Sequence, residues 1–230
     1  MEYIVEGIWQ ALRLIFSLDS EIFSIVLLSL KVSTIATFLS SLAGVPVGFI
    51  IGTSEFRGKK LLVTIFNTLM AFPTVVVGLL VYSFISRQGP LGPMGLLFTP
   101  QAMVVGQLIL ATPIIVALTI SATQGVDRRV KLTAMTLGAG PLRTATAILS
   151  EVRFALMAAV IAGFGRVIAE VGCAMMVGGN IRGYTRTMTT AIALETAKGE
   201  FGFGIALGLI LLVVAFSVNI LLHWLQLRGS

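Results

Sequence analysis

Charge is what this 230-residue chain has least of: Asp, Glu, Lys and Arg make up 11% of it, where soluble domains carry roughly 25%. That scarcity excludes an ordinary water-soluble globule. A single cysteine, Cys173, excludes an intrachain disulfide, and its place inside an apolar run marks it as a small packing residue. The single histidine, His223, stands beside Trp224 at the end of an apolar stretch and reads as interfacial. No grouping of His, Cys and carboxylates suggests a metal site, and no nucleophile–base pair stands out. A phosphate loop is missing as well. The nearest stretch, Gly52 to Lys60, has five residues between its glycines and Lys60 where a hydroxyl is required. The chain is therefore not expected to hydrolyse ATP. Glu2 and Glu6 stand where a leader would be basic, so no cleaved signal is expected. No internal repeat is visible, and a pseudo-symmetric pore would call for a second copy.

What the chain has is apolar length. Five stretches, Ile22–Gly52, Leu61–Ile85, Gln101–Thr123, Phe154–Gly178 and Phe201–Leu227, each reach the roughly 20 residues that a helix needs to cross a bilayer. Ahead of them, Ile4 to Leu18 places Ile4, Ile8, Leu12 and Ile15 against Glu6, Gln10 and Arg13. It reads as an interfacial amphipathic helix, with a partly embedded sixth span as the alternative. The expected organisation is an amino-terminal segment over residues 1–20 and one all-helical membrane domain over 21–230. The formal net charge of +6 does not follow one face, as phosphate tracking requires, but clusters between spans. Arg57, Lys59, Lys60, Arg128, Arg129, Lys131, Arg143, Arg153 and Arg228 fall on one side; Arg13, Arg87, Arg182, Arg186 and Lys198 fall on the other. The richer side is expected to be cytoplasmic, which puts the amino terminus outside for an odd number of spans.

Gly44, Gly48 and Gly52 recur at steps of four, and Gly204 and Gly208 repeat the spacing. Small residues so placed let helix backbones approach closely; packing within one subunit is favoured over a dimer seam. Pro46, Pro73 and Pro113 lie within spans and lead us to expect kinks, and Phe72-Pro73-Thr74 points to a pathway.

The longest polar interruption, residues 124–153, reads as two short helices. Asp127 can cap the first, Gly138-Ala139-Gly140 breaks it, and Pro141 begins the second. Basic groups, an apolar stripe and an internal turn exceed what a connector needs, so we expect a docking element. Its core, Leu132-Thr133-Ala134-Met135-Thr136-Leu137-Gly138-Ala139-Gly140, resembles the cytoplasmic coupling motif of ABC importer permeases. That motif opens Glu-Ala-Ala, places glycine seventh, and continues to an isoleucine and a closing Leu-Pro. Gly138 and Ile148 match. Leu132 stands in place of the glutamate, Thr133 in place of the first alanine, and Ser150-Glu151 in place of Leu-Pro. Ser29 to Gly48 resembles the first core helix of these permeases. Gly165 to Gly172, with Gly179 to Thr185, is similar to the branch for molybdate, sulfate and tungstate, and Met175 to Thr196 most resembles the tungstate type.

The resemblance implies the MetI-like core of type I permeases, with about five membrane helices. It implies an inner-membrane homodimer that imports an oxyanion, most similar to tungstate permeases, with molybdate or sulfate next. Two cytoplasmic ATPase subunits holding ATP and Mg would dock on Leu132, Thr133, Ala134, Leu137, Gly138, Ala139 and Gly140. An external binding protein would deliver the ion, and this chain itself would bind no cofactor. Arg166 and Glu170, at i and i+4 within a span, can pair; a structural ion pair is favoured over a substrate contact. Asn180, Thr185 and Thr187 belong to an outer segment of amide, hydroxyl and guanidinium donors suited to an oxyanion, and join Pro73, Arg166 and Glu170 as pathway or gate candidates. Two rivals remain at this level: a proton-coupled carrier relaying through Glu170, and a membrane assembly subunit without transport.

Overall fold

The computed structural model describes residues 19–228 continuously, together with residues 8, 9, 12, 13 and 17. Of the interfacial helix expected over residues 4–18 only those five are described, with Ile8, Trp9, Leu12 and Arg13 helical and exposed; the side chain of His223 lies outside the described residues. Among those described there are only helices and connections, and no strand. The first helix, α1 (Ser20–Thr53), starts where the Asp19 carboxylate accepts the amides of Glu21 and Ile22 at 2.7 and 3.4 Å, satisfying two donors that a helix start leaves orphaned. At 34 residues it is about 51 Å long, well over the apolar thickness of a bilayer.

The face that α1 turns inward carries Ser29, Ser33, Thr37, Ser40, Gly44, Gly48 and Gly52, all buried. It lies against α4 (Pro100–Gln124). The Ser40 hydroxyl donates to the Leu108 carbonyl at 3.2 Å. A Cβ on Gly44 would lie 3.1 Å from Ile115, and one on Gly48 would lie 2.6 Å from the Thr119 Cβ and 2.7 Å from the Val116 carbonyl oxygen. Gly52 stands against Thr123 in the same way. The glycine steps are thus an intrasubunit seam. Residue numbers rise together along both helices, so α1 and α4 run parallel. The segment between them must therefore carry the chain back across.

That return is made by α2 (Lys59–Met70) and α3 (Thr74–Ile85), which meet at 97°. The expected single span 61–85 is corrected to a broken one. Pro73 supplies no N–H, and the amides of Ala71 and Phe72 close the end of α2 on Thr68 and Leu69 at 3.1 and 3.2 Å. Pro46 and Pro113, by contrast, stay inside continuous helices. A short 3₁₀ turn, Gly92–Met94, lies on the way from α3 to α4.

After α4 come α5 (Arg128–Thr136) and α6 (Pro141–Glu151); α6 meets α7 (Arg153–Ile168) at a 67° bend. Helix α7 runs back antiparallel to α4: Gly163 stands against Ile115, and the Gln107 amide donates to the Val167 carbonyl at 3.2 Å. The expected span 154–178 is also corrected. It stops at Ile168 and resumes as the seven-residue α8 (Gly172–Gly178). Cys173 is buried there, and a Cβ on Gly106 would run into its sulfur. Helix α9 (Met188–Lys198) leads to α10 (Phe201–Arg228), whose Leu207 packs in a cluster with Ile22, Ile25, Ile168, Met188 and Ala191. Three helices, α1, α4 and α10, are long and apolar enough to cross a membrane alone, and the bent pairs bring the count to five.

Candidate functional site

Helices α5 and α6 form an elbow. Asp127 caps α5 by accepting the Arg129 amide at 2.8 Å. Its far end is closed by two reversed bonds, Gly138 N–H to the Met135 carbonyl at 3.0 Å and Ala139 N–H to the Ala134 carbonyl at 2.9 Å. This closure needs a left-handed residue, and Gly138 has φ +78°. Pro141 then occupies the first turn of α6, and Thr144 and Ile148 turn inward to the body. Leu132, Thr133, Leu137, Gly138 and Gly140 are exposed on the elbow; Ala134 and Ala139 are half-buried between its arms.

At the opposite end the two helix breaks meet. A Cβ on Gly172 would touch Thr74 and Val75, which directly follow Pro73. Within the second break, Glu170 is buried, paired with Arg166 at 2.9 Å through one oxygen, and caps α8 by accepting the Cys173 amide at 3.0 Å through the other. Thr189 donates to the Glu170 carbonyl at 2.7 Å. The pair expected from the sequence forms, and its carboxylate also fixes the backbone where the span breaks.

Beyond this lies the segment 179–187. Asn180 takes a left-handed φ of +49° and donates to the Thr190 carbonyl at 3.2 Å. Thr185 donates to the Gly178 carbonyl at 2.5 Å and accepts from Ile181 N–H at 2.9 Å. Thr187 and Thr190 cap α9 reciprocally. Outside them, Glu21 is gripped by Arg182 through two nitrogens and by Arg186 at 3.5 Å, while Glu195 holds Arg186 at 3.3 Å and Lys198 at 3.0 Å. The hydrogen bond from Arg182 to Glu21, then Glu21's charge, raises the guanidinium pKa above its ordinary value.

Residues 44–228 match the family described as binding-protein-dependent transport system inner membrane component. The chain belongs to that family. Over 226 residues the chain is 41% identical to the tungstate uptake system permease protein of Peptoclostridium acidaminophilum, covering 98% of this chain and 99% of that protein. It is 45% identical to the protein of the same description from Campylobacter jejuni, covering 98% and 95%. The molybdenum transport system permease of Escherichia coli is 30% identical over 206 residues, covering 83% and 90%. In three dimensions the chain superposes on a chain of an inward-facing methionine ABC transporter with TM-score 0.72 at 14% identity, covering 100% and 97%. A chain of an alginate ABC importer gives 0.76 at 15% identity, covering 95% and 82%. These likenesses establish the type I ABC importer permease fold.

In this permease the sequence-derived candidates divide into two groups. Arg166 and Glu170 pair at the second break, and Pro73 marks the first, which approaches it through Thr74 and Val75 against Gly172. Thr185 bonds the backbone around its own loop, while the Asn180 amide and the Thr187 hydroxyl bond the start of α9 and the Asn180 Oδ1 is buried without a partner, a use that their composition did not reveal. Sequence reasoning passed over Glu21 and Glu195, whose signal was their opposite charge on the same side as Arg182 and Arg186. It also passed over Gln107, a lone amide in an apolar span; it is buried and its Oε1 has no partner among the described residues.

Proposed function

We propose that this permease forms the path by which tungstate is imported in an ATP-driven transporter. The observation that carries the reading is near full-length identity of 41% and 45% to tungstate uptake permeases, against 30% for the molybdenum permease. In this reading two copies enclose the path. The open apolar groove of about 780 Å³ between α7 and α10, lined by Ala158, Ala162, Gly165 and Ala215 among others, supports close approach of a second copy. An external oxyanion-binding protein delivers the ion. Two cytoplasmic ATPase subunits, which hold ATP and Mg, grip the elbow.

The fold supports a route for the stroke. The closed turn at Gly138 makes the elbow a stiff unit, α6 leads through a 67° bend into α7, and α7 ends at the break held by Glu170. A push on the elbow is thereby delivered to the place where the break after Pro73 meets the break at Glu170, through Thr74, Val75 and Gly172, the proposed gate. Arg166, paired with Glu170, sets the local charge there and is not a free anion site.

The test is reconstitution of the full transporter in proteoliposomes, with ATP hydrolysis followed as tungstate, molybdate or sulfate is supplied on the binding protein. Tungstate should give the largest stimulation; equal or greater stimulation by sulfate would reject the substrate. Deleting residues 132–140 should abolish ATPase association while leaving membrane insertion intact, and continued association would reject the docking role.

A further inference from the structure

The outward face of the elbow carries more than docking alone requires. Along α5, Arg128, Lys131, Leu132 and Met135 fall at i, i+3, i+4 and i+7, so they share one face. Leu132 is 49% exposed and Met135 56%; the turn adds Leu137 at 82% and α6 adds Leu142 at 79%. Large apolar side chains left open together on a polar segment mark a contact surface. The elbow carries four cations, Arg128, Arg129, Lys131 and Arg143, against two carboxylates at its extremities, the cap Asp127 and the exposed Glu151 at the last residue of α6. Asp127 already accepts the Arg129 amide and lies 4.0 Å from its guanidinium. Among the described residues, Arg128, Lys131 and Arg143 form no ion pair.

We infer that the elbow is received by an apolar groove rimmed with carboxylates on the cytoplasmic ATPase subunit, the apolar side chains seating in the groove and Arg128, Lys131 and Arg143 meeting its acidic rim. The inference rests on the docking reading above and names the chemistry of the partner's surface. An anionic membrane surface is the other thing that attracts cations. A helix lying on a bilayer, however, separates its apolar stripe from its charges. Here Arg128 and Lys131 sit on the same face as Leu132 and Met135, and burying that face in lipid would drag both cations toward hydrocarbon. A protein groove can supply carboxylates beside an apolar floor, and a bilayer cannot. Leu132, where the family resemblance led us to expect a carboxylate, leaves the face shared with Arg128, Lys131 and Met135 without a negative charge.

The experiment places the full-length permease in phosphatidylcholine nanodiscs and measures binding of the transporter's own purified ATPase subunit across a salt series. Wild-type affinity should fall as NaCl rises from about 0.05 to 0.5 M, because exposed charge contacts are screened. The Arg128→Glu/Lys131→Glu variant should bind about tenfold or more weakly and lose that salt dependence, since like charges then face each other. Leu132→Ala/Met135→Ala should weaken binding while keeping the salt slope. Unchanged melting of each variant separates these effects from misfolding. If deleting 132–140 abolishes binding but the charge reversal alters neither affinity nor slope, this inference is overturned and docking stands. If even the deletion leaves the ATPase bound, the docking reading itself fails. A reversal effect that appears only when anionic lipid is added to the nanodisc assigns the cations to the membrane and overturns the inference.

Discussion

The two ends of the molecule treat charge in opposite ways. Around Glu21, three of the cations are answered from within the chain: Arg182 and Arg186 by Glu21, Arg186 and Lys198 by Glu195. The hydroxyls of Thr185 and Thr187 are likewise bonded locally. At the elbow, Arg128, Lys131 and Arg143 stand without a carboxylate among the described residues, beside exposed leucines. That end satisfies most of its own polar groups, with Asn180 Oδ1 and Arg186 Nε the buried exceptions, and it resists rearrangement because each opened contact leaves a donor or charge without its partner. An end that leaves them open is, in the proposed docking, completed by the ATPase subunit. Stability is therefore concentrated where the helices break, and binding where the chain leaves the bundle.

The largest test of that division is Glu170→Ala. It leaves the buried Cys173 amide without its acceptor and strips Arg166, 36% exposed, of its partner, a combined loss of about 2–4 kcal/mol once solvent screening of the arginine is allowed for. The permease in detergent should melt far earlier, whereas Leu132→Ala should melt like the wild type. Equal melting of the two variants would erase the distinction between the ends.

The seam joining the ends provides the next measure. Gly48→Ala would force its Cβ to within 2.6 Å of Thr119 and 2.7 Å of the Val116 carbonyl oxygen. Backbone cannot retreat as a flexible side chain can, so overpacking should cost about 1–3 kcal/mol. A variant at Gly208, which has nothing within 4 Å, is the control. Thermal melting that ranks the two in reverse order would show that the seam does not hold α1 to α4.

What was legible follows from the range of each interaction. Apolar length and glycine spacing are local, so the apolar stretches, the close intrasubunit packing at Gly44, Gly48 and Gly52 and the elbow with its turn at Gly138 could be read directly, whereas the partner helix of that seam could not. Pro73 announced its break by removing a donor. The break after Ile168 was hidden because Glu170 makes it: within a run of apolar residues, the carboxylate seemed only the partner of Arg166, and its second role as a cap depends on the Cys173 amide at 3.0 Å. The clasp was least legible of all, because Glu21 and Arg182 are separated by 161 positions. No periodicity in one chain encodes a pairing at that distance.

Glu21→Ala should have a smaller effect than either change above. Arg182 is exposed and adds little, and Arg186 keeps Glu195 at 3.3 Å, so the loss should be about 1 kcal/mol and shrink as salt is added. A much larger loss would mean that the clasp, and not the buried pair, organises that end.

The smallest stability effect should come with a clear functional one. Leu137 projects from the elbow turn and is bonded to the body only through its backbone, by its amide to the Thr133 carbonyl at 3.1 Å. Leu137→Ser leaves that bond intact, so melting should stay within about 0.5 kcal/mol of the wild type. In the proposed docking the side chain's apolar area serves the partner, so affinity for the ATPase subunit should fall several-fold in the same preparation. Were melting to drop while affinity held, Leu137 would be packing for the permease itself, and the elbow would belong to the self-satisfied part of the molecule.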